Sequence, residues 1–316
     1  MPGWRTPLAR GAAPDPLRPA APRRRHPARH GTAPAASQIS TIMNNTAALE
    51  DFIRRAPRLF VLTGAGCSTP SGIPDYRDAD GQWKRAQPVT LQSFLGSEAT
   101  RRRYWARSLV GWRFIRATQP NRTHAALARL EAAGRSELLL TQNVDRLHQK
   151  AGSRRVIDLH GRLDVVRCLG CGAEMPREAM QAELTRRNPG WSTLDAGSAP
   201  DGDADLDGLD FAGFAVPDCR HCGGLLKPDV VFFGENVPRE RVAESFAALD
   251  RADAVLVVGS SLMVYSGFRF VQAAAKAGKP VAAVNIGRTR ADDLLTLKVE
   301  QPCEDALGFL LADTAG

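Results

Sequence analysis

Short apolar runs recur along the chain, and each run ends in small or polar residues. The runs are LFVLT (59–63), ELLLT (137–141), RVIDL (155–159), AVLVV (254–258) and PVAAV (280–284). Helix-like stretches such as 121–134 and 239–252 lie between them. Near-continuous apolar strands that alternate with helices predict an α/β fold in which a Rossmann-type parallel sheet carries helices on both faces.

The segments that follow the runs are the first candidates for a site. They read GAG, QNVD, HG, GSS and NIG in chain order. Ligands of parallel sheets bind beyond the carboxyl ends of the strands. We therefore expect these five segments to converge on one crevice.

One block interrupts the alternation of strands and helices. Residues 166–226 show few strand signals and contain two C-x-x-C pairs. We interpret this block as a small inserted module between Rossmann-type parts at about 45–165 and 227–316. Residues 80–119 are rich in Arg and Trp and are predicted to form a helical flap over the crevice.

The paired cysteines predict a metal site. Each pair is followed by glycine, which permits the left-handed backbone of a tight turn that presents two thiolates. Four sulfurs form a closed tetrahedral site that suits structural Zn²⁺, although the 47 residues between the pairs must loop out. Two unrelated redox pairs are the alternative. The proposed ligands are Cys168, Cys171, Cys219 and Cys222.

The charge of the chain is unevenly distributed. Residues 1–40 carry seven Arg and one acidic residue, so most of the net charge of +8 belongs to this segment. The near-neutral remainder, 41–316, argues against a nucleic-acid surface. Residues 1–40 are also rich in Pro and Ala and are predicted to be a disordered tail. No apolar run approaches a membrane span, and we expect a cytoplasmic protein, or a mitochondrial one if the tail is a transit segment.

The loop after the first run reads TGAGCSTPSGIPDYR, residues 63–77. It lacks the third glycine of the dinucleotide fingerprint and the Lys of a P-loop. Gly64 and Gly66 would let the backbone approach a pyrophosphate, with N–H groups and a helix N-terminus as donors. A tight turn is the alternative interpretation of these two glycines.

These motifs occur in an order that resembles a known family. TGAGCSTPSGIPDYR, TQNVD, HG, the two C-x-x-C pairs, KPDVVFFGE, GSSLMVYS and NIG resemble the sirtuins, the silent-information-regulator family of NAD-dependent protein deacylases. TQNVDRLHQKAGSRR and GSSLMVYSGFRF resemble the class II branch. The resemblance covers about 45–310 and implies a Rossmann-type domain with a zinc module, between which NAD and acyl-lysine meet.

The resemblance also implies roles for individual residues. His160 would be the general base, and Asn143 and Asp145 would position ribose hydroxyls, water and the nicotinamide amide. Val231, Phe233 and Val264 would line the acyl-lysine tunnel. The positions implied to contact NAD are Gly64, Ala65, Gly66, Ser68, Pro74, Asp75, Tyr76, Arg77, Gln142, Asn143, Val144, Asp145, Gly259, Ser260, Ser261, Asn285, Ile286, Gly287 and Cys303.

Plainer interpretations of the same residues remain open. Thr-Gln-Asn at 141–143 could cap a helix, and Cys303 could be an ordinary buried residue. His160 could be a hydrogen-bonded structural residue, and the valines could belong to buried parallel strands. His124 and His148 are interpreted as structural.

The implied activity is NAD-dependent removal of an acyl group from protein lysine. In the family scheme the acyl-lysine oxygen attacks the nicotinamide ribose, which gives nicotinamide and an alkylimidate. A ribose hydroxyl activated by the base then attacks, and water releases lysine and O-acyl-ADP-ribose. Mono-ADP-ribosyl transfer or removal of a bulkier group such as lipoyl is the enzymatic alternative. A zinc-ribbon binding module is the non-enzymatic one.

Overall fold

The computed structural model describes residues 36–84, 88–194, 203–204, 206 and 208–312, with side chains from Asn45 onward. Most of the segment predicted to be a disordered tail, residues 1–35, lies outside the described residues. Residues 36–40 of that segment belong to the first helix. No helix among the described residues is long and apolar enough to cross a membrane.

The chain alternates strands and helices. The helices are α1 (Ala36–Arg55), α2 (Leu91–Gly96), α3 (Glu98–Ala117), α4 (Arg122–Ala132), α5 (Leu147–Lys150), α6 (Arg177–Arg187), α7 (Arg239–Arg251), α8 (Tyr265–Lys276) and α9 (Cys303–Ala306). The strands are β1 (Leu59–Thr63), β2 (Ser136–Thr141), β3 (Val156–Asp158), β4 (Gly161–Cys168), β5 (Glu174–Pro176), β6 (Leu226–Val230), β7 (Ala254–Val258), β8 (Val281–Val284) and β9 (Leu297–Val299).

Six strands form one parallel sheet in the order β3-β2-β1-β7-β8-β9. All five predicted strands lie in it, and the prediction of a parallel α/β sheet is confirmed. The short edge strand β9 was not predicted from the sequence. Because β1 lies at the centre with β2 and β7 on either side, the loops after β1 and β7 meet where the strand order reverses. This is the position at which such sheets bind ligands.

Helices cover both faces of the sheet. Alternate residues of β1 belong to two different cores: Leu59 and Val61 pack in one cluster, and Phe60 and Leu62 pack in the other. Every residue of β1 is therefore buried, which explains why the strand reads as a continuous apolar run rather than an alternating one. This arrangement confirms the prediction of helices on both faces.

The cysteine-bearing insertion has more strand structure than its sequence indicated. β4 pairs antiparallel with β5 on one side and with β6 on the other, so the small sheet spans Gly161 to Val230. Its apolar side packs on α3 and α6 in a core that includes Trp105, Val166 and Met180. The indole N–H of Trp105 donates to the carbonyl of Leu226 at 3.3 Å, which ties α3 to the small sheet.

The segment predicted to be a helical flap is helical over α2 and α3. Thr90 caps α2 and Ser97 caps α3, each through a side-chain oxygen that accepts a backbone N–H. Tyr104 and Ile115 of α3 lie in the wall of the crevice described below. Helix α3 thus forms one side of the crevice between the sheet and the small module.

Candidate functional site

A cavity of about 400 Å³ lies beyond the carboxyl ends of the parallel strands. The five polar segments converge on it, as the alternation of strands and helices predicted. The sequence-predicted residues that line it are Gly64, Ala65, Gly66, Ser68, Asp75, Tyr76, Arg77, Gln142, Asn143, Val144, Asp145, His160, Val231, Phe233, Gly259, Ser260, Ser261, Val264, Asn285 and Ile286.

Three residues expected to contact NAD do not line this cavity. Pro74 is not among the lining residues, although its neighbours Ile73 and Asp75 are. Gly287 packs against the neighbouring loop, where an added Cβ would lie 2.5 Å from the carbonyl oxygen of Ala79. Cys303 is 7% exposed and belongs to the core beneath the sheet, with its sulfur 3.9 Å from the Val284 carbonyl. For Cys303 the structure agrees with the alternative of ordinary burial.

The glycines of the first loop are required by the neighbouring loop. A Cβ on Gly64 would lie 2.8 Å from the Cβ of Ser260, and one on Gly66 would lie 2.9 Å from the carbonyl oxygen of Gly259. Gly259 itself has a φ of +61° and leaves no room for a Cβ against Cys67 N. The loops after β1 and β7 therefore pack backbone against backbone, which only glycine permits at these positions.

This loop leads directly into no α-helix, whereas a helix N-terminus was expected among its donors. It forms two short 3-10 turns, Ala65–Cys67 and Thr69–Ser71. The N–H groups of Gly64 and Gly66 donate to the carbonyls of Val258 and Gly259 at 3.2 and 2.8 Å. The expected backbone donors at these two glycines are thus already paired within the protein.

Side chains from β1, β2 and the loops after them form a connected polar network. Asn143 Nδ2 donates to Gly64 O and to Ser68 Oγ, both at 3.0 Å. Ser68 Oγ donates to Asp145 Oδ2 at 2.6 Å, while Asp145 Oδ1 accepts the N–H of Leu147 at 2.9 Å. Burial raises the pKa of Asp145. Asn143 caps no helix, so the capping alternative for this segment is wrong.

Asn121 holds the loop after β1 by hydrogen bonds, and no sequence motif pointed to this residue. Its side-chain oxygen caps α4, and its Nδ2 donates to Cys67 O at 2.7 Å and to Ser71 Oγ at 3.0 Å. His124 and His148 lie beside it with ring centroids 4.7 Å apart, and both are almost fully buried. These contacts are consistent with the structural interpretation of the two histidines.

His160 lies between β3 and β4, at the wall of the cavity. Its Nδ1 is 3.0 Å from the carbonyl oxygen of Gln142, and its Nε2 is 2.6 Å from Ser266 Oγ. Burial lowers the pKa of His160 to about 4, and the charges of Arg269 and Arg241 act in the same direction. The imidazole is therefore neutral at physiological pH and can accept a proton.

The turn that presents His160 depends on the next residue. Gly161 has a φ of +83°, and a Cβ there would lie 2.0 Å from the carbonyl oxygen of Asp229. The carbonyl of His160 accepts the N–H of Val231 at 2.8 Å. The backbone on both sides of the imidazole is thus held against the segment that was predicted to line the acyl tunnel.

The segment after the glycine loop folds back over the mouth of the cavity. Arg77 forms an isolated antiparallel bridge with Trp83 and stacks its guanidinium over the indole at 4.0 Å. Tyr76 meets the same indole edge-on, and Trp83 in turn contacts Phe233 at 5.6 Å between ring centroids. Trp83, which the sequence analysis did not single out, therefore joins the two sides of the mouth.

One part of the cavity wall is apolar. Ile73, Ile115 and Leu163 line it and pack together in one cluster. Val231 and Val264 lie outside the parallel sheet and are half-buried at the cavity wall. The alternative that these valines belong to buried parallel strands is wrong.

The four paired cysteines lie together at one end of the small sheet. The sulfurs of Cys168, Cys171, Cys219 and Cys222 are all within 4.8 Å of one another. Tetrahedral zinc with Zn–S bonds of about 2.3 Å separates its sulfurs by roughly 3.8 Å, so the cluster fits this ion. The N–H of Gly170 points to the sulfur of Cys168, which favours a thiolate.

Cys67 lies in the loop after β1, and its surroundings favour the protonated thiol. It is fully buried, and its sulfur donates to the carbonyl of Val258 at 3.1 Å. Burial raises the pKa of Cys67 well above its ordinary value. Since the thiolate is the nucleophilic form, Cys67 is not a candidate nucleophile.

Comparison with known protein sequences identifies the family. The sequence profile of the Sir2 family matches residues 64–266. A protein of Xanthomonas campestris pv. campestris (strain 8004), named NAD-dependent protein deacetylase, is 71% identical over 263 residues, 83% of this chain and 90% of the relative. NAD-dependent protein deacetylase 2 of Bradyrhizobium diazoefficiens is 69% identical over 263 residues, with 83% and 96% covered.

Solved structures agree with the sequence comparison. A Sir2 complex with a p53 peptide and NAD⁺ superposes with a TM-score of 0.65 at 30% identity, covering 84% of this chain and 96% of that one. Sir2 bound to an acetylated peptide gives a TM-score of 0.65 at 29% identity, with 84% and 97% covered. The fold, the crevice motifs and both comparisons lead to one conclusion: this chain belongs to the Sir2 family.

Proposed function

We propose that the protein is an NAD-dependent protein deacetylase that converts acetyl-lysine and NAD⁺ into lysine, nicotinamide and O-acetyl-ADP-ribose. The observation that carries this proposal is the neutral imidazole of His160 at the wall of the strand-end crevice. Relatives at 51–71% identity bear the name of this activity, which supports the proposal.

NAD⁺ would occupy the side of the crevice nearest the parallel sheet. Gly259, Ser260 and Asn285 line the part that would take the adenosine half. Asn143 and Asp145, held by Ser68, would face the nicotinamide ribose. The N–H groups of Gly64 and Gly66 are paired with the loop after β7. Ala65, Ser68 and nearby side-chain hydroxyls would therefore contact the phosphates of NAD⁺ instead.

His160 would act as the general base. A carbonyl oxygen only accepts hydrogen bonds, so the contact with Gln142 O requires the proton of the neutral ring to sit on Nδ1. Nε2 then carries the lone pair, and Ser266 Oγ lies 2.6 Å from it. A base in this tautomer can take a proton from a ribose hydroxyl, and its low pKa keeps it unprotonated at neutral pH.

The acyl-lysine would enter between the segment around Val231–Phe233 and the segment around Val264. Backbone pairing along such edges tolerates varied peptide sequences, which suits an enzyme that acts on many proteins. The apolar part of the wall formed by Ile73, Ile115 and Leu163 suits an uncharged acyl group. Acetylated protein segments are therefore the proposed substrates.

The four-cysteine cluster would hold one structural Zn²⁺. Four thiolates leave no open coordination position, so the ion would stabilise the small sheet and take no part in the reaction. The small sheet positions Phe232 and, through Gly161, His160. We also propose a cytoplasmic location. The bacterial sources of the similar sequences support it and give no support to the mitochondrial alternative.

The test incubates the protein with NAD⁺ and a panel of acyl-lysine peptides and follows the products by mass spectrometry. We expect nicotinamide release that requires the acyl group, and O-acyl-ADP-ribose among the products, with acetyl peptides turned over. Loss of turnover in His160→Ala supports the role of the base. ADP-ribosylated protein without deacylation would instead support the transferase alternative. No turnover with any acyl group would refute the proposal.

A further inference from the structure

The lone-pair nitrogen of His160 already has a partner in the structure. Because Nδ1 donates to the carbonyl of Gln142, Nε2 of the neutral ring can only accept a hydrogen bond. Ser266 Oγ lies 2.6 Å from Nε2, and the hydroxyl is the donor of this pair. The single lone pair of the proposed base is thus occupied by a serine hydroxyl rather than exposed to the crevice.

Ser266 is the second residue of α8, so its hydroxyl does not occupy the N-cap position from which a side chain usually caps a helix. Here the N-cap residue is Val264, and no side chain caps the helix. Among the described residues, the hydrogen-bond partner of Ser266 Oγ is Nε2 of His160. The hydroxyl therefore donates its hydrogen bond to the imidazole.

The first turn of α8 also packs against Gln142, the residue on the other side of the imidazole. A Cβ on Gly267 would lie 2.5 Å from Gln142 Oε1, so the helix packs directly on the residue whose carbonyl binds Nδ1. Gln142 thus contacts Nδ1 of His160 and Ser266 contacts Nε2. Gly267, next to Ser266, packs against the side chain of Gln142. Ser266 lines the crevice, where its hydroxyl keeps lone pairs for a ligand hydroxyl.

We propose that Ser266 is a proton-relay residue between the ribose hydroxyl and His160. The ribose O–H bond breaks as its proton moves to Ser266 Oγ, and the Ser266 O–H bond breaks as that proton moves to Nε2. The serine ends with the hydroxyl it began with, and His160 holds the proton. No other reactant is needed, and the serine does not have to leave Nε2. This inference rests on the proposed function.

The test separates the step that uses His160 from the step that precedes it. Nicotinamide leaves before a ribose hydroxyl is deprotonated, so exchange of labelled nicotinamide into NAD⁺ in the presence of acetyl peptide does not need the relay. Net deacetylation does. Both rates are measured for Ser266→Ala, which removes the hydroxyl, and for Ser266→Thr, which keeps it. Ser245→Ala is the matched control, because Ser245 is a buried helical serine that donates to Arg241 O on α7.

We expect Ser266→Ala to lose at least about tenfold in net deacetylation, a part of the roughly 10²–10⁴-fold that general-base catalysis supplies, and to keep nicotinamide exchange within about twofold. Ser266→Thr should recover most of the lost rate. Wild-type deacetylation in Ser266→Ala would overturn the relay, since it would mean that the hydroxyl is simply displaced. A parallel fall in both rates that threonine does not rescue would also overturn it. Absence of wild-type turnover would instead refute the proposed function.

Discussion

At the residue scale, His160 depends on the glycine that follows it. Gly161→Ala would place a Cβ 2.0 Å from the Asp229 carbonyl in a left-handed backbone, so β4 and β6 must separate there. We expect at least a tenfold fall in kcat, because a small displacement of a catalytic group is costly. Steady-state kinetics with an acetyl peptide measures this effect.

Gly278→Ala is the control for that substitution. Gly278 has a φ of +72° at the end of α8, and a Cβ there meets nothing within 4 Å. Both variants carry the left-handed strain of about 1–2 kcal/mol, but only one has the steric conflict. Gly278→Ala should therefore lower the free energy of unfolding and leave kcat unchanged. An equal loss of kcat in both variants would mean that strain alone explains the effect.

A second residue-scale prediction concerns the buried histidines. Burial lowers the pKa of His124 to about 4, whereas the unfolded chain keeps the ordinary value near 6.5. The unfolded state therefore binds more protons between these values, and stability falls as pH falls from about 6.5 to about 4. The contribution of His124 is on the order of 3 kcal/mol at full extent.

Urea unfolding at several pH values measures this dependence. We expect His124→Gln to show a shallower fall of unfolding free energy between pH 6.5 and pH 4 than the wild type, because one of the groups that take up a proton on unfolding is gone. His148, whose pKa burial also lowers, remains in the variant. Identical slopes in the two proteins would show that His124 titrates normally in the folded state.

At the element scale, the small sheet depends on its metal site. We expect Cys219→Ser to contain well below one zinc per chain and to unfold at a lower temperature than the wild type, because metal binding stabilises the folded module. Cys303→Ser should keep the zinc content, since Cys303 lies in the core beneath the large sheet and outside the cluster. Elemental analysis and thermal unfolding by circular dichroism measure both properties.

A wild-type protein without zinc would contradict this account of the module. So would a Cys219→Ser variant that matches the wild type in both zinc content and unfolding temperature. Removal of the metal by a chelator should reproduce the effect of the substitution, and added zinc should reverse it.

The elements differ in how far the sequence could predict them. β1 and β7 were predicted with their observed ends, because a strand buried on both faces is a continuous apolar run. β9 has three residues, and two of them are half-buried, so its sequence carries little signal. The strands of the small module were missed because β4 alternates between buried and partly exposed residues and β5 has only three residues.

The site shows the same division. Side chains at strand ends could be predicted, because the topology of a parallel sheet brings all of its carboxyl ends to one edge. Ser266, Trp83 and Asn121 could not, because their roles depend on contacts between distant parts of the chain. Ser266 lies 106 residues after His160, and Asn121 lies 54 residues after Cys67. Gly64 and Gly66 were singled out from the sequence, and the close approach that they permit in the structure is to the loop after β7.

At the scale of the whole molecule, the crevice lies between the large sheet, which offers the strand ends, and the small module, which positions His160 through Gly161. We expect NAD⁺ cleavage and acetyl removal to be one coupled reaction in this crevice. The most direct test is the ratio of nicotinamide released to acetyl groups removed from a peptide, with the same unacetylated peptide as control.

We expect one nicotinamide released per acetyl group removed, and no nicotinamide release above background with the unacetylated peptide. Nicotinamide release that is independent of acetylation, or acetyl removal without NAD⁺, would contradict it.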